Sequence, residues 1–328
     1  MNKLTKAGLT ALAGSLAAVS AHAVEMGVSG SANMTYVSQT GNTGNPFGME
    51  SRITFSASGD IENGFGVSYY TTQESHHGAG QYSGELAVDM GDLGRIALQQ
   101  GVGNAGIDAI DDNTPKAYEE AWDGLTATSG LVNTGGTNVF KYTNTFGGWG
   151  TNIAFKKGSD TGNAEGDVSG NGEGSGYSFA LTAGGDTLGV DGMFVGFGYG
   201  SVDGGSVGTA GNTKDSEYYA ANVNYAYGPV TAGFQRNVVT KKAKDVETDM
   251  MSIAFNVNDN LAISYADNEV THIKTGGNAN VTEDVEGLGF SYTMGGMTLA
   301  GQSNSSDDAN GVAGAKDDHT ELRLSFAF

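Results

Sequence analysis

The chain has 328 residues, 38% of them hydrophobic, with a mean hydropathy of −0.26, a formal charge of −21, 54 glycines, 3 prolines and no cysteine. So large an acid excess excludes nucleic acid as a partner, and the missing cysteine excludes a disulfide scaffold and thiolate metal sites. The hydropathy fits a soluble protein, and fits equally a membrane barrel whose strands are only half apolar.

The N-terminus discriminates between these. Lys3 and Lys6 precede an apolar, Ala/Leu-rich run from Ala7 to Ala21, followed by Ala21-His22-Ala23. A basic start, a short apolar stretch and a small-x-small cleavage site are the marks of a secretory signal peptide, here residues 1–23. The mature chain is expected to run from Val24 to Phe328 as one domain. No later run approaches the roughly 18 consecutive apolar residues that a membrane-crossing helix needs.

Beyond Val24 the sequence alternates apolar and polar with period two, as in Arg52-Ile53-Thr54-Phe55-Ser56-Ala57 and in the terminal Glu321-Leu322-Arg323-Leu324-Ser325-Phe326-Ala327-Phe328. Such a pattern puts one apolar and one polar face on a strand. It predicts strands near 25–38, 49–60, 64–74, 80–90, 94–101, 137–146, 149–157, 176–186, 190–201, 216–227, 229–239, 248–257, 260–270, 284–294, 297–305 and 317–328. That is about sixteen, an even number of segments near the length of a tilted membrane strand.

Connections alternate between short and long. Gly147-Gly148, Gly228-Pro229, Asp259-Asn260 and Gly295-Gly296 are turn dipeptides, whereas 158–175, 202–215 and 306–316 are long and polar. All three prolines (Pro46, Pro115 and Pro229) fall in connections, as a ladder that uses every N–H requires.

Larger apolar groups share one parity: Ile96 and Leu98, Phe140 and Tyr142, Ile153 and Phe155, Phe179 and Leu181, Val223 and Tyr225, Leu288, Phe290 and Tyr292. Their alternates, among them Ala97, Lys141, Ala154, Ser178, Asn224 and Ser291, are small or polar. In a closed barrel the first set meets lipid and the second lines water. Phe65, Trp149, Tyr199, Tyr227 and Phe328 crowd strand ends, where an interfacial girdle would sit. Arg236 has outward parity and is a blemish on the apolar face.

Residues 102–136 break the alternation, and a loop of that length in a compact protein is usually functional. Its Ile107, Ile110, Tyr118 and Trp122 need something to pack against, and Pro115 followed by Ala117–Trp122 suggests a short helix. Arg52, Arg95, Lys141 and Arg323 have inward parity. If the acidic loop folds into the lumen, its carboxylates face these bases across water, creating a transverse field that selects among solutes.

Other motifs carry less. Gly101-Val102-Gly103-Asn104-Ala105-Gly106 matches the dinucleotide fingerprint without the helix that fingerprint requires. Gly204-Gly205-Ser206-Val207-Gly208 matches a hydrolase elbow but lies in a polar loop. His76, His77, His272 and His319 all fall near predicted loops. The acidic loops offer Ca²⁺ ligands, but no contiguous calcium-loop motif is present. The rival to a barrel is a secreted soluble β-protein that binds calcium or carbohydrate.

The strand order, the run Gly91-Asp92-Leu93-Gly94-Arg95-Ile96-Ala97-Leu98-Gln99-Gln100-Gly101 leading into an acidic third loop with Asp111-Asp112 and Trp122-Asp123-Gly124, and the terminal Phe328 together resemble the general-diffusion porins of Gram-negative outer membranes. The resemblance spans essentially all of Val24–Phe328. It implies a homotrimer of sixteen-stranded transmembrane antiparallel β-barrels in the outer-membrane bilayer, each narrowed by an inward-folded third loop and passing ions and small hydrophilic solutes without catalysis. The family's acidic constriction falls on Asp108, Asp111, Asp112, Glu119, Glu120 and Asp123, its basic wall on Arg52, Arg95, Lys141 and Arg323, and its assembly signal on Phe328. The acid excess leads us to expect moderate cation selectivity. A second loop of only about five residues, near 75–79, departs from the inter-subunit latch of some members.

Overall fold

A strand with one greasy and one wet face is stable only if its neighbours share that arrangement and no edge is left unpaired. The computed structural model, which describes residues 25–61, 64–75, 81–126, 132, 136–158, 175–203, 215–240, 244–274 and 279–328, meets that condition by closure. The expected signal peptide, the second-loop residues 76–79 with His76 and His77, and the 204–208 motif lie outside the described residues.

Sixteen strands follow one another: β1 (Glu25–Gln39), β2 (Phe47–Asp60), β3 (Gly66–Glu74), β4 (Gln81–Asp89), β5 (Arg95–Gln100), β6 (Thr137–Phe146), β7 (Trp149–Lys156), β8 (Gly176–Gly184), β9 (Met193–Val202), β10 (Ser216–Tyr227), β11 (Val230–Thr240), β12 (Lys244–Asn258), β13 (Leu261–Lys274), β14 (Val281–Met294), β15 (Met297–Asp307) and β16 (Lys316–Ala327). Each pairs antiparallel with the next, and β16 returns to β1, so the sheet is a closed barrel. An even count is what lets the first and last strands meet antiparallel. The seam is sealed at its end by Gly30 N–H to Phe328 O at 3.1 Å and Phe328 N–H to Gly30 O at 2.8 Å.

The parity read from the sequence is the parity of the wall. Leu98, Phe140, Phe155, Tyr225 and Leu288 are exposed on the outside, whereas Ala97, Lys141, Ala154 and Ser178 face inward and are buried. The outward belt carries aromatic neighbours at its long-loop end, where Tyr199 lies 6.3 Å from Tyr177 and 5.1 Å from Tyr219 between ring centroids. At the short-turn end Phe146, Tyr227 and Phe328 stand exposed, the position expected of an interfacial girdle. No helix of the described residues is long and apolar enough to span a membrane; the barrel crosses with its strands.

Arg236 is satisfied on the outer surface. It places both guanidinium nitrogens of one side on carboxylates of the neighbouring strand, Nη1 at 2.9 Å from Asp249 and Nη2 at 2.5 Å from Glu247. Boundaries differ most at two places. Between β8 and β9 the chain makes a helical turn, Gly185–Leu188, closed by Gly189 at φ 71°, so the expected alternation there is interrupted. β12 and β13 both extend further on the long-loop side than their outer faces suggest, because inward Val246 and Val270 obscure the alternation there.

Candidate functional site: the loop-lined lumen

Between β5 and β6 the chain turns into the lumen instead of away from it. The turn is made at Gly106, whose φ of 62° suits glycine and where an added Cβ would lie 2.0 Å from Ser178 Oγ. A 3₁₀ helix over Gly106–Ile110 follows. From there the loop travels around the inner wall, held at nearly every strand by an inward polar side chain. Gly106 N–H donates to Asn152 of β7 at 2.8 Å, and Ile107 N–H to Ser178 of β8 at 3.3 Å. Asn224 of β10 donates to Asn113 O at 2.6 Å.

The centre of this fastening is Gln235 of β11, which is fully buried. Its amide nitrogen donates to Ile110 O at 2.8 Å and Asp111 O at 2.7 Å, while its oxygen accepts from Asn113 N–H at 2.8 Å. Ser252 of β12 then donates to Pro115 O at 2.7 Å, and Ala117 N–H donates to Ser264 of β13 at 2.9 Å. Asn304 of β15 donates to Glu120 O at 3.1 Å and Asp123 O at 2.9 Å. Gln39 of β1 donates to Gly124 O at 2.7 Å, and Thr126 donates to Asp317 of β16 through both N–H and Oγ1 at 2.6 Å. These bonds satisfy an irregular backbone that no ladder could satisfy.

Apolar contacts reinforce the two ends of the path. Ile107 and Ile110 pack with Val132 against Ala180, Tyr218, Ala220 and Val239, and Ala121, Trp122 and Leu125 pack against Val246, Val270 and Val285. Burying Ile107 and Ile110 contributes roughly 1.5–3 kcal/mol each. Wall glycines make room: a Cβ on Gly287 would meet Ala121 at 2.7 Å, and one on Gly198 would meet Ile107 at 2.6 Å. The short helix expected over Ala117–Trp122 does not form. That stretch turns through single bonds such as Asp123 N–H to Glu120 O, because Ala117 N–H and Glu120 O are engaged by the wall.

The charged residues occupy this frame unevenly. Among the acids, Asp108 is buried in the 3₁₀ helix. Burial, then repulsion from Asp112 and Asp108, pushes the Asp111 carboxyl up to about 8. Lys116, the loop's one base, bonds Glu120 and lies 3.4 Å from Asp112. Asp123 accepts from Gln302 of β15 at 2.7 Å. Glu119 lies 3.6 Å from Arg323; burial and Asp123 raise its carboxyl above the usual range, with Arg323 acting against them.

Of the four inward bases, Arg323 forms an ion pair with a loop carboxylate, that of Glu119. It also bonds Glu321 at 2.9 Å and sits over the Tyr118 ring at 5.4 Å. Arg52 bonds wall acids, Glu74 at 2.5 Å and Glu50 at 2.9 Å. Arg95 bonds Glu85, which also holds Gln99. Lys141 donates to Asn104 at 2.8 Å at the root of the loop. Beneath the loop, toward the short turns, a cavity of about 640 Å³ is lined by residues including Arg95, Asn113, Asn144 and Asn152.

Sequence reasoning missed the wall acids Glu50, Glu74 and Glu85 and the fastening glutamine Gln235, and it placed two histidines near loops that the structure puts on strands. His272 and His319 are on β13 and β16, inward and buried. His272 bonds Glu283 at 2.9 Å, and Glu283 also accepts from Ser306 at 2.8 Å and Asn310 N–H at 3.0 Å.

Comparison with known proteins agrees with this geometry. A refined porin structure superposes with a TM-score of 0.63 at 18% identity, covering 93% of this chain and all of that one, 100%. OmpF of Salmonella typhi in complex with daunomycin superposes at 0.69 and 14% identity, covering 92% of this chain and 97% of that chain. In vitro folded OmpT of Vibrio cholerae, in a trimer form, superposes at 0.61 and 13%, covering 93% and 100%. No curated protein sequence matches significantly. The family model described as Gram-negative porin matches residues 8–327. With that match over nearly the whole chain and a closed sixteen-stranded barrel lined by its own third loop, this chain belongs to the Gram-negative porins and is a diffusion channel of the outer membrane.

Proposed function

We propose that the channel passes ions and small hydrophilic solutes with a moderate preference for cations, and that the third loop, 102–136, sets this preference. The observation that carries the reading is the loop itself. It brings Asp108, Asp111, Asp112, Glu119, Glu120 and Asp123 with the single base Lys116 into the lumen, Asp111 holding its proton near neutral pH, while Arg52 and Arg95 are matched by wall carboxylates. A lumen whose mobile charge balance is acidic raises the local cation concentration. The reversal potential of single channels in a KCl gradient tests this: the sign for cation preference is expected, and an anion preference would refute it.

Three further parts of the reading follow from the family. Residues 1–23 act as a signal peptide removed on export, leaving a mature chain from Val24. Three barrels associate through their apolar outer faces; the similar Vibrio protein has a trimer form. Phe328, exposed at the short-turn end beside the β1–β16 seam, serves as the signal by which the chain is inserted and folded. Deleting Phe328 is expected to lower the amount of folded barrel in the outer membrane without changing the conductance of the barrels that do form, measured by cell fractionation and bilayer recording.

A further inference from the structure

We propose that Asp123, His319 and Glu321 form a binding site for one divalent transition-metal ion of the Zn²⁺ and Cu²⁺ class, which clamps the third loop to the barrel wall. One ligand atom from each of the three lies within 4.8 Å of the others. Asp123 comes from the loop, and His319 and Glu321 come from alternate inward positions of β16.

Two observations, the unpartnered imidazole of His319 and the unpartnered amide oxygen of Gln302, point to an ion and not to a hydrogen-bonded pair. The side chain of His319 is only 5% exposed, yet neither of its nitrogens has a hydrogen-bond partner. Its Nε2 is 3.7 Å from Glu321 Oε2, beyond hydrogen-bonding reach but close to the roughly 3.4 Å that separates two ligands of a tetrahedral zinc. The Gln302 oxygen next to the site is also buried without a partner, while the same amide's nitrogen holds Asp123 at 2.7 Å.

Each neighbour is arranged as a ligand's support. Tyr118 OH at 3.0 Å and Arg323 Nε at 2.9 Å both bind Glu321 Oε1, which leaves Oε2 turned toward the imidazole. Gly124 packs on the ring so closely that a Cβ there would lie 2.3 Å from His319, and the loop turn therefore fixes the ring's plane. Such outer contacts orient metal ligands. One nitrogen and two carboxylates suit zinc or copper better than calcium or magnesium, which take oxygen alone. Three protein ligands leave a fourth position for water from the lumen.

Bound there, an ion neutralises acid charge in the lumen and joins the loop's last turn to β16. Whether the site binds metal does not depend on the channel's ion preference, and it is tested without measuring current. Folded, metal-stripped barrel in detergent is titrated with Cu²⁺ and observed by electron paramagnetic resonance, and with Zn²⁺ by calorimetry. Expected are one ion per chain, nitrogen hyperfine structure from one imidazole, loss of that structure in His319→Gln, and retention in His272→Gln. Asp123→Asn, a change in a half-buried loop residue, should weaken Zn²⁺ by about tenfold or more; it decides the matter if His319→Gln does not fold. Nitrogen coupling that persists in folded His319→Gln, Zn²⁺ affinity unchanged in Asp123→Asn, or no stoichiometric site in the parent protein would each overturn the proposal.

Discussion

Arg323 connects loop and wall: it touches Glu119 on one and Glu321 on the other, and lies over Tyr118. Replacing it with alanine removes a cation and leaves two carboxylates without their partner. Arg323→Ala is therefore expected to shift the reversal potential toward stronger cation preference, and Glu119→Gln to shift it the other way; equal reversal potentials in both variants would contradict the assignment. Asp111 makes a pH prediction. Its carboxyl is raised to about 8 by burial and by Asp112 and Asp108, so near neutral pH it holds its proton. The docked loop then binds a proton that the undocked chain would release, so docking is favoured at low pH and weakens as pH rises from the ordinary carboxylate range toward 8. In recordings from pH 6 to pH 9, cation preference should rise with a midpoint near 8 as the loop gains one charge. Asp111→Asn should flatten that rise.

The third loop is an element made by its surroundings, because its backbone groups are satisfied by wall side chains and not by one another. Gln235→Ala removes three bonds at one position. At about 1 kcal/mol net for each, the loop should loosen by a few kcal/mol without loss of the barrel. Faster proteolysis of residues 105–126 in detergent, with unchanged resistance of the strands, is the expected result. The loop's presence in the lumen was legible: its break in alternation, its acids and its stranded Ile107 and Ile110 all pointed inward. Its landing place was less so, though a signal existed. Tyr218, Val239, Val246, Val270 and Val285 are apolar at inward positions, and each lies where the loop packs. The partners of Arg52, Arg95 and Lys141 were not legible. Parity tells which face a side chain takes, whereas Arg52 meets Glu74 because register sets them opposite. His319 meets Asp123 across a separation that no local pattern records.

Across the whole molecule, closure, order and topology were readable because each strand repeats the same instruction, apolar out and polar in, and a barrel is the arrangement that satisfies all sixteen without an edge. Charge is distributed with a different logic. On the outer wall Arg236 is answered by Asp249 and Glu247. In the lumen, wall bases are answered by wall acids, and the loop adds acid beyond that balance. Flow through the barrel then depends on how far the fastened loop fills it. The most direct measurement is single-channel conductance in a planar bilayer, comparing the parent chain with a variant in which residues 107–125 are replaced by a short glycine-serine link. The parent should give discrete ohmic steps, and the variant distinctly larger ones. No current from folded parent protein, or steps of equal size in the two, would contradict a channel narrowed by its own third loop.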